Sequence, residues 1–271
     1  MSLSLHATVI GGNGFVGRHL VHHLRHAGWR CDEIARDDKS IPSQTCGHVF
    51  YCAGLTADFR ERPFDTVEAH VSYLGKWLQT AYFDSLTYLS STRVYANAVS
   101  TSETADLSVN PNVAGDLYNL SKLMGESLSL QSTRPVHIVR LSNVYGEAMP
   151  EQNFLADIVR AAVRTNQVLF RSAPDSEKDY ISVQEVVRAL ARIALSGDYG
   201  VINLASGKNT TNQMIADCLG KAGVLCRFEE NAPVIQFPRI ETQKLERIVG
   251  SRSSDLVQDL PSLLQQYGEA I

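Results

Sequence analysis

The feature that most restricts the fold is a short glycine-rich turn. Gly11-Gly12-Asn13-Gly14-Phe15-Val16-Gly17 follows the apolar, β-branched run His6-Ala7-Thr8-Val9-Ile10. It opens the segment Phe15 to Ala27, whose apolar residues at 15, 16, 20, 21 and 24 recur near helical spacing before Gly28. A buried strand, a turn and an amphipathic helix in that order give each glycine a task. Gly11 permits the tight exit from the strand, Gly14 lets the backbone approach a pyrophosphate, and Gly17 lets the helix pack close to the sheet. N–H groups and the helix dipole then attract phosphates, so Gly11, Gly14, Phe15, Val16 and Gly17 are candidate dinucleotide contacts.

The rest of the chain repeats the alternation. Strands are expected at 30–35, 49–53, 86–90 and 136–141, and helices at 64–82 and 114–130. A looser pattern follows: helices at 154–165, 183–195, 214–222 and 256–267, and strands at 168–170 and 201–204. The fold class is therefore α/β, a Rossmann-like doubly wound parallel sheet covered on both faces. Only about a dozen residues separate the second strand from the one near Val49, roughly what one crossover helix needs. One strand/helix unit is thus expected to be shortened or missing there. The domain reading is a dinucleotide-binding core over 1–145, completed by about 181–205, with a small substrate-binding region over 146–180 and 206–271.

A formal net charge of −4 gives no reason to expect nucleic acid or an anionic membrane as partner. No apolar run approaches the ~20 residues that span a bilayer. The first residues lack a signal-peptide pattern, so the expected location is the cytoplasm. The five cysteines form no CxxC pair, which argues against a disulfide framework or zinc site. Cys31, Cys46, Cys218 and Cys226 read as packing residues. Cys52, with Ala53 and Gly54, ends a strand where cofactors bind. His19/His23 and His22/His26 have metal-ligand spacing on one helix, but no carboxylate or cysteine completes either pair, so no metal is expected. Tyr73, Trp77 and Tyr82 read as helix packing.

Tyr118-Asn119-Leu120-Ser121-Lys122 puts a tyrosine and a lysine one helical turn apart. A phenol near pKa 10 is a poor acid or base at neutral pH. A neighbouring ammonium and a cationic nicotinamide would lower it, so Tyr118 is expected to titrate below its ordinary value and to act as general acid/base. Lys122 would also hold the nicotinamide ribose. Upstream, Leu89-Ser90-Ser91-Thr92-Arg93-Val94-Tyr95 closes a strand, where a serine can hydrogen-bond the substrate oxygen. After the second strand, Arg36 favours the 2′-phosphate of NADP and Lys39 can assist, whereas Asp37 can serve NAD. The cofactor is NAD(P), leaning to NADP(H).

These residues together resemble the extended short-chain dehydrogenase/reductases, and within them the NAD-dependent epimerase/dehydratase family. The glycine turn resembles the family's GGxGFxG, Ser91 the catalytic position of SSxxVYG, and Tyr118 with Lys122 its YxxxK. Arg140-Leu141-Ser142-Asn143-Val144-Tyr145-Gly146 resembles RxxNVYG, which puts Leu141, Asn143 and Val144 beside the nicotinamide and Asn143 also beside the substrate. Lys178-Asp179-Tyr180-Ile181-Ser182-Val183 resembles RDYIxV, and Val201 to Gly207 the YNxGSG strand. The resemblance implies catalysis by Ser91, Tyr118 and Lys122, and hydride transfer on a nucleoside-diphosphate sugar. It also implies a homodimer built on the helices near 64–82 and 114–131.

Some positions depart from the pattern. Thr92-Arg93 stands where sugar dehydratases carry an Asp-Glu pair after the threonine, so dehydration is not expected. His70 replaces a common asparagine, and Lys178 replaces an arginine that contacts the nucleotide. Ser91, Thr92, Asn143, Lys178 and Arg60 are the candidate substrate contacts. The leading reading is a nucleotide-sugar 4-keto-reductase. The alternatives are a 4-epimerase that retains its NAD and a non-catalytic dinucleotide-binding regulatory protein.

Overall fold

The computed structural model describes residues 5–35, 38, 40–56, 58–250 and 254–269. The run His6–Ile10 is β1, and the helix after the turn is α1 (Phe15–His26). Gly28 adopts φ +81° and turns the chain into β2 (Arg30–Ile34). The segment from 35 to 47 carries no helix or strand among its described residues and leads directly into β3 (His48–Tyr51). Arg36, Asp37 and Lys39, on which the NADP expectation turns, lie outside the described residues.

Next come α2 (Pro63–Val67), a π turn over Glu68–Ser72, and α3 (Tyr73–Thr80). They replace the single unbroken helix expected over 64–82. The wide turn leaves carbonyls for side chains: Tyr51 donates to the Ala69 carbonyl at 2.7 Å and Tyr88 to that of His70 at 3.3 Å. Tyr73 and Trp77 are buried as expected, but Tyr82 is 67% exposed and lies beyond the helix.

The chain continues through β4 (Ser85–Ser91), a 3₁₀ turn (Thr92–Tyr95), α4 (Asp116–Gln131), β5 (Val136–Leu141), β6 (Asn143–Tyr145), α5 (Phe154–Thr165) and β7 (Gln167–Phe170). It finishes with β8 (Glu177–Ser182), α6 (Val183–Leu195), β9 (Gly200–Leu204), β10 (Asn209–Thr211), α7 (Asn212–Lys221), β11 (Leu225–Phe228), α8 (Gln243–Val249) and α9 (Leu256–Glu269).

Six strands form one parallel sheet in the order β2-β1-β3-β4-β5-β9. Strand alternation divides its faces. Ala7, Val9, Phe50 and Val139 pack under α1 and α6, while Ile10, Tyr51, Tyr88 and Ile138 pack with Tyr73, Leu74 and Trp77 of α3. The order reverses between β1 and β3, and parallel pairing puts every strand's C-terminal end on one edge of the sheet. A separate core gathers Leu155 and Val159 of α5, Ile215 and Leu219 of α7, and Leu256, Leu260 and Leu263 of α9 around Tyr145 and Phe170. No helix among the described residues is long and apolar enough to cross a membrane.

Candidate active site

The glycine turn has the tightness a pyrophosphate cradle requires. A Cβ on Gly17 would stand 2.2 Å from the Gly11 carbonyl oxygen. One on Gly11, at φ +81°, would stand 3.0 Å from the Ala53 nitrogen. Gly14 caps α1 with extended backbone and no side-chain hydrogen bond, and the first turn carries no acidic residue. The N–H groups of this helix end therefore face the strand-end edge with no acidic residue of the helix beside them, which fits a phosphate group. Gly12 has a task absent from the motif reading: its Cβ would lie 2.7 Å from the Glu33 carboxylate.

The other expected cofactor contacts surround the same edge. Cys52 donates its backbone N–H to the Ile10 carbonyl at 2.9 Å, so Cys52, Ala53 and Gly54 run beside the glycine turn. Burial pushes the Cys52 thiol up to about 12, which makes it inert. Phe15, Val16, Leu141 and Val144 are half-buried together against one core. Ser142, Ser206, Gly207 and Lys208 all donate to the Asp179 carboxylate, at 2.6–3.1 Å, while Asn143 donates to the Asp179 carbonyl at 2.8 Å. Asp179 thus fixes the RxxNVYG-like loop.

Ser91 ends β4 and caps the 3₁₀ turn by accepting from the Arg93 N–H at 3.2 Å. Thr92 is buried within that turn. Tyr118 lies in the first turn of α4, and Lys122, one turn later, donates to the Leu89 carbonyl at 2.9 Å. Its ammonium stands 5.8 Å from the centre of the Tyr118 ring. Burial pulls the Lys122 amine down to about 7, against the charge of Glu126. Burial also raises the Tyr118 phenol, contrary to the expected fall. Hydrogen bonding with Ser91 and Thr56, and the charge of Arg93, oppose that rise without overcoming it. The spacing Tyr-x-x-x-Lys reveals the cation but not the desolvation.

Four further residues join the site. Thr56, two residues beyond Gly54, meets the Tyr118 hydroxyl. Phe59 packs against the Tyr118 ring at 5.5 Å between centres, and Arg93 lies over both rings. His70 is fully buried and joins three elements: its Nε2 accepts from the Leu55 N–H at 3.2 Å and its Nδ1 meets the Ser121 hydroxyl at 2.8 Å. Ser121 itself donates to the Tyr118 carbonyl at 2.9 Å, so the hydrogen bonds fit the Nδ1–H tautomer. The departure from asparagine at 70 was the one sequence signal for this bridge. Arg60 is exposed and stacks on Phe59 at 4.7 Å, and Lys178 lies 4.9 Å from the centre of the Phe154 ring. His19 bonds the Glu147 carbonyl at 3.2 Å and His22 stacks on His26.

A parallel sheet that reverses at a glycine turn, with a strand-end serine and a Tyr/Lys pair beside it, defines a Rossmann-type enzyme of the short-chain dehydrogenase kind. The chain belongs to the NAD dependent epimerase/dehydratase family, whose model matches residues 7–205. Its fold is similar to that of MoeE5 in complex with UDP-glucose and NAD, at 21% identity and TM-score 0.82 over 98% of this chain and 99% of that one. The UDP-glucuronic acid 4-epimerase from Bacillus cereus, with UDP-glucuronic acid and NAD, aligns at 16% identity and TM-score 0.81 over 98% and 99%. RMD from Pseudomonas aeruginosa, complexed with NADPH, aligns at 20% identity and TM-score 0.77 over 97% and 99%. The comparison with curated proteins finds no match.

Proposed function

We propose that the chain is an NAD(P)-dependent reductase of 4-keto nucleoside-diphosphate sugars. The observation that carries the reading is the convergence of Ser91, Tyr118 and Lys122 at one strand-end edge beside the glycine turn. The dinucleotide, when bound, supplies hydride chemistry, and Gly11 to Gly17, Cys52 to Gly54, Leu141, Asn143 and Val144 would hold it. The chain's own work is proton and charge management. Burial keeps Tyr118 protonated at neutral pH, which suits a general acid that gives its proton to a carbonyl oxygen becoming an alkoxide. Ser91 hydrogen-bonds the same oxygen. Lys122 and Arg93 stabilise the phenolate left behind. Asn143 and Lys178 contact the sugar nucleotide. Residues 1–145 with 181–205 form the dinucleotide core, and 146–180 with 206–271 the substrate region.

The lean to NADP rests on Arg36 and Lys39 in the sequence. A 4-epimerase is the second reading, favoured by neighbours that hold NAD together with UDP-glucose or UDP-glucuronic acid. Exposed Phe64, Val67, Met124 and Leu128 on α2 and α4 support a homodimer through those helices. The five free cysteines suit the cytoplasm. Purified protein with NADPH and a 4-keto nucleotide sugar should consume reduced-nicotinamide absorbance in step with product. Absence of that loss, with the cofactor retained through turnover, would establish the epimerase instead. Tyr118→Phe should lower turnover by roughly 10²–10⁴-fold, and unchanged turnover would return the chain to the non-catalytic reading.

A further inference from the structure

Two guanidinium groups meet beside Tyr118. Arg60 and Arg93 lie over the same Phe59 ring, at 4.7 and 5.2 Å from its centre. A Cβ built on Gly115 would stand 3.2 Å from Arg93 Nη2 and 3.6 Å from Arg60 Nη2, so both groups border one small volume. Arg93 donates to the Gly115 carbonyl at 3.2 Å and lies 5.4 Å from the centre of the Tyr118 ring. Among the described residues neither arginine has a carboxylate within ion-pair distance. The nearby acids form their hydrogen bonds and ion pairs elsewhere, although the charge of Asp116 still reaches Arg93. Asp58 and Asp65 pair with Arg62, and Asp116 accepts from the Asn110 N–H and the Asn119 amide at 2.8 Å each. The charge of Arg93 reaches Lys178 as well, adding a third cation to this side of the site.

Like charges held together without a counter-ion are costly, and an anion placed between them removes that cost. Planar guanidinium forks bind carboxylate oxygens in pairs. The position identifies which anion of a nucleotide sugar would arrive there. Tyr118 must reach the oxygen on the reacting carbon. In a pyranose joined to its diphosphate through C1, the phosphates lie across the ring from C4, whereas the substituent on C5 is adjacent to C4.

We propose that Arg93 and Arg60 form a carboxylate subsite that selects nucleotide-linked uronates, with the acid group carried on C5 next to the reacting carbon. This rests on the nucleotide-sugar reading above. The test is calorimetric titration of the protein with its dinucleotide bound, using UDP-glucuronate against UDP-glucose. The uronate should bind at least tenfold more tightly. Arg93→Gln and, separately, Arg60→Gln should bring the two ligands to within about threefold, and Arg93→Lys should restore part of the preference. Arg60 is exposed, so its variant folds even if that of Arg93 does not. Equal binding of both ligands to the unaltered protein overturns the subsite. So does equal weakening of both ligands in the variants, which assigns the arginines to the diphosphate. If neither ligand binds while the dinucleotide does, the nucleotide-sugar reading itself falls.

Discussion

Glu126→Gln removes one charge from the interior and nothing else of consequence in volume. In the folded chain the Glu126 carboxylate accepts from Ser90 Oγ at 2.5 Å, from Arg140 Nε at 3.1 and 3.2 Å, and from Arg140 Nη2 at 2.7 Å. The two side chains are 4% and 5% exposed, so water cannot replace the lost partner. Removing one member of a buried pair costs about 3–5 kcal/mol, because the other charge stays buried. At roughly 2 °C per kcal/mol for a chain of this size, the midpoint of thermal unfolding should fall by about 6–10 °C. Urea unfolding followed by circular dichroism measures the same loss directly. Glu126→Leu combined with Arg140→Met should cost less than Glu126→Gln alone. Neither charge of the pair then remains buried, and the Tyr95 hydroxyl keeps its bond to Asn203 Oδ1 at 2.9 Å. A loss below about 1 kcal/mol, the value of a solvated pair, would refute the reasoning. A double variant no more stable than the single would refute it equally.

Four further outcomes follow from other positions. Lys122 holds an amine near 7 in the folded chain against an ordinary 10.5, so above pH 7 the unfolded chain binds the extra proton and this group's contribution to stability rises with pH. Subtracting the unfolding free energies of Lys122→Met from those of the unaltered protein between pH 7 and 8.5 should expose that positive slope, and a flat difference would remove the assignment. Gly17→Ala should abolish dinucleotide binding in fluorescence titration, since its Cβ meets the Gly11 oxygen at 2.2 Å. Gly28→Ala, at φ +81° with nothing within 4 Å, should cost about 1–2 kcal/mol of stability yet leave binding intact. Asp179→Asn should lower unfolding free energy by about 2–4 kcal/mol, because five donors converge on that carboxylate.

Elements whose side chains face one continuous core were legible in the sequence. The helix expected over 183–195 has those bounds in the structure, and its buried Val183, Val187, Leu190 and Ala194 follow the helical period. Lengths alone disclosed the missing crossover between β2 and β3. Strand β8 escaped notice because only two of the six residues in Glu-Lys-Asp-Tyr-Ile-Ser are apolar, and it pairs with the three-residue strands β6 and β10. The π turn escaped because one extra residue leaves the apolar spacing on either side intact. At the site, Ser91, Tyr118 and Lys122 could be read from spacing, since each lies at a strand end or on one helix face. The pairing of Arg60 with Arg93 could not, because a ring from a third position, Phe59, brings them together.

The absent crossover leaves β2 as a border of the sheet, with no strand beyond it among the described residues. Open borders recruit strands from other molecules unless something repels them. Here Arg30, Asp32 and Glu33 occupy three of the strand's five positions, and Asp32 and Glu33 are tethered by His6 at 2.8 Å and Arg25 at 2.7 Å. By dropping a unit of the usual plan, the chain leaves the guarding of that border to the charges of one strand. Neutralising them would leave each molecule a template for the next.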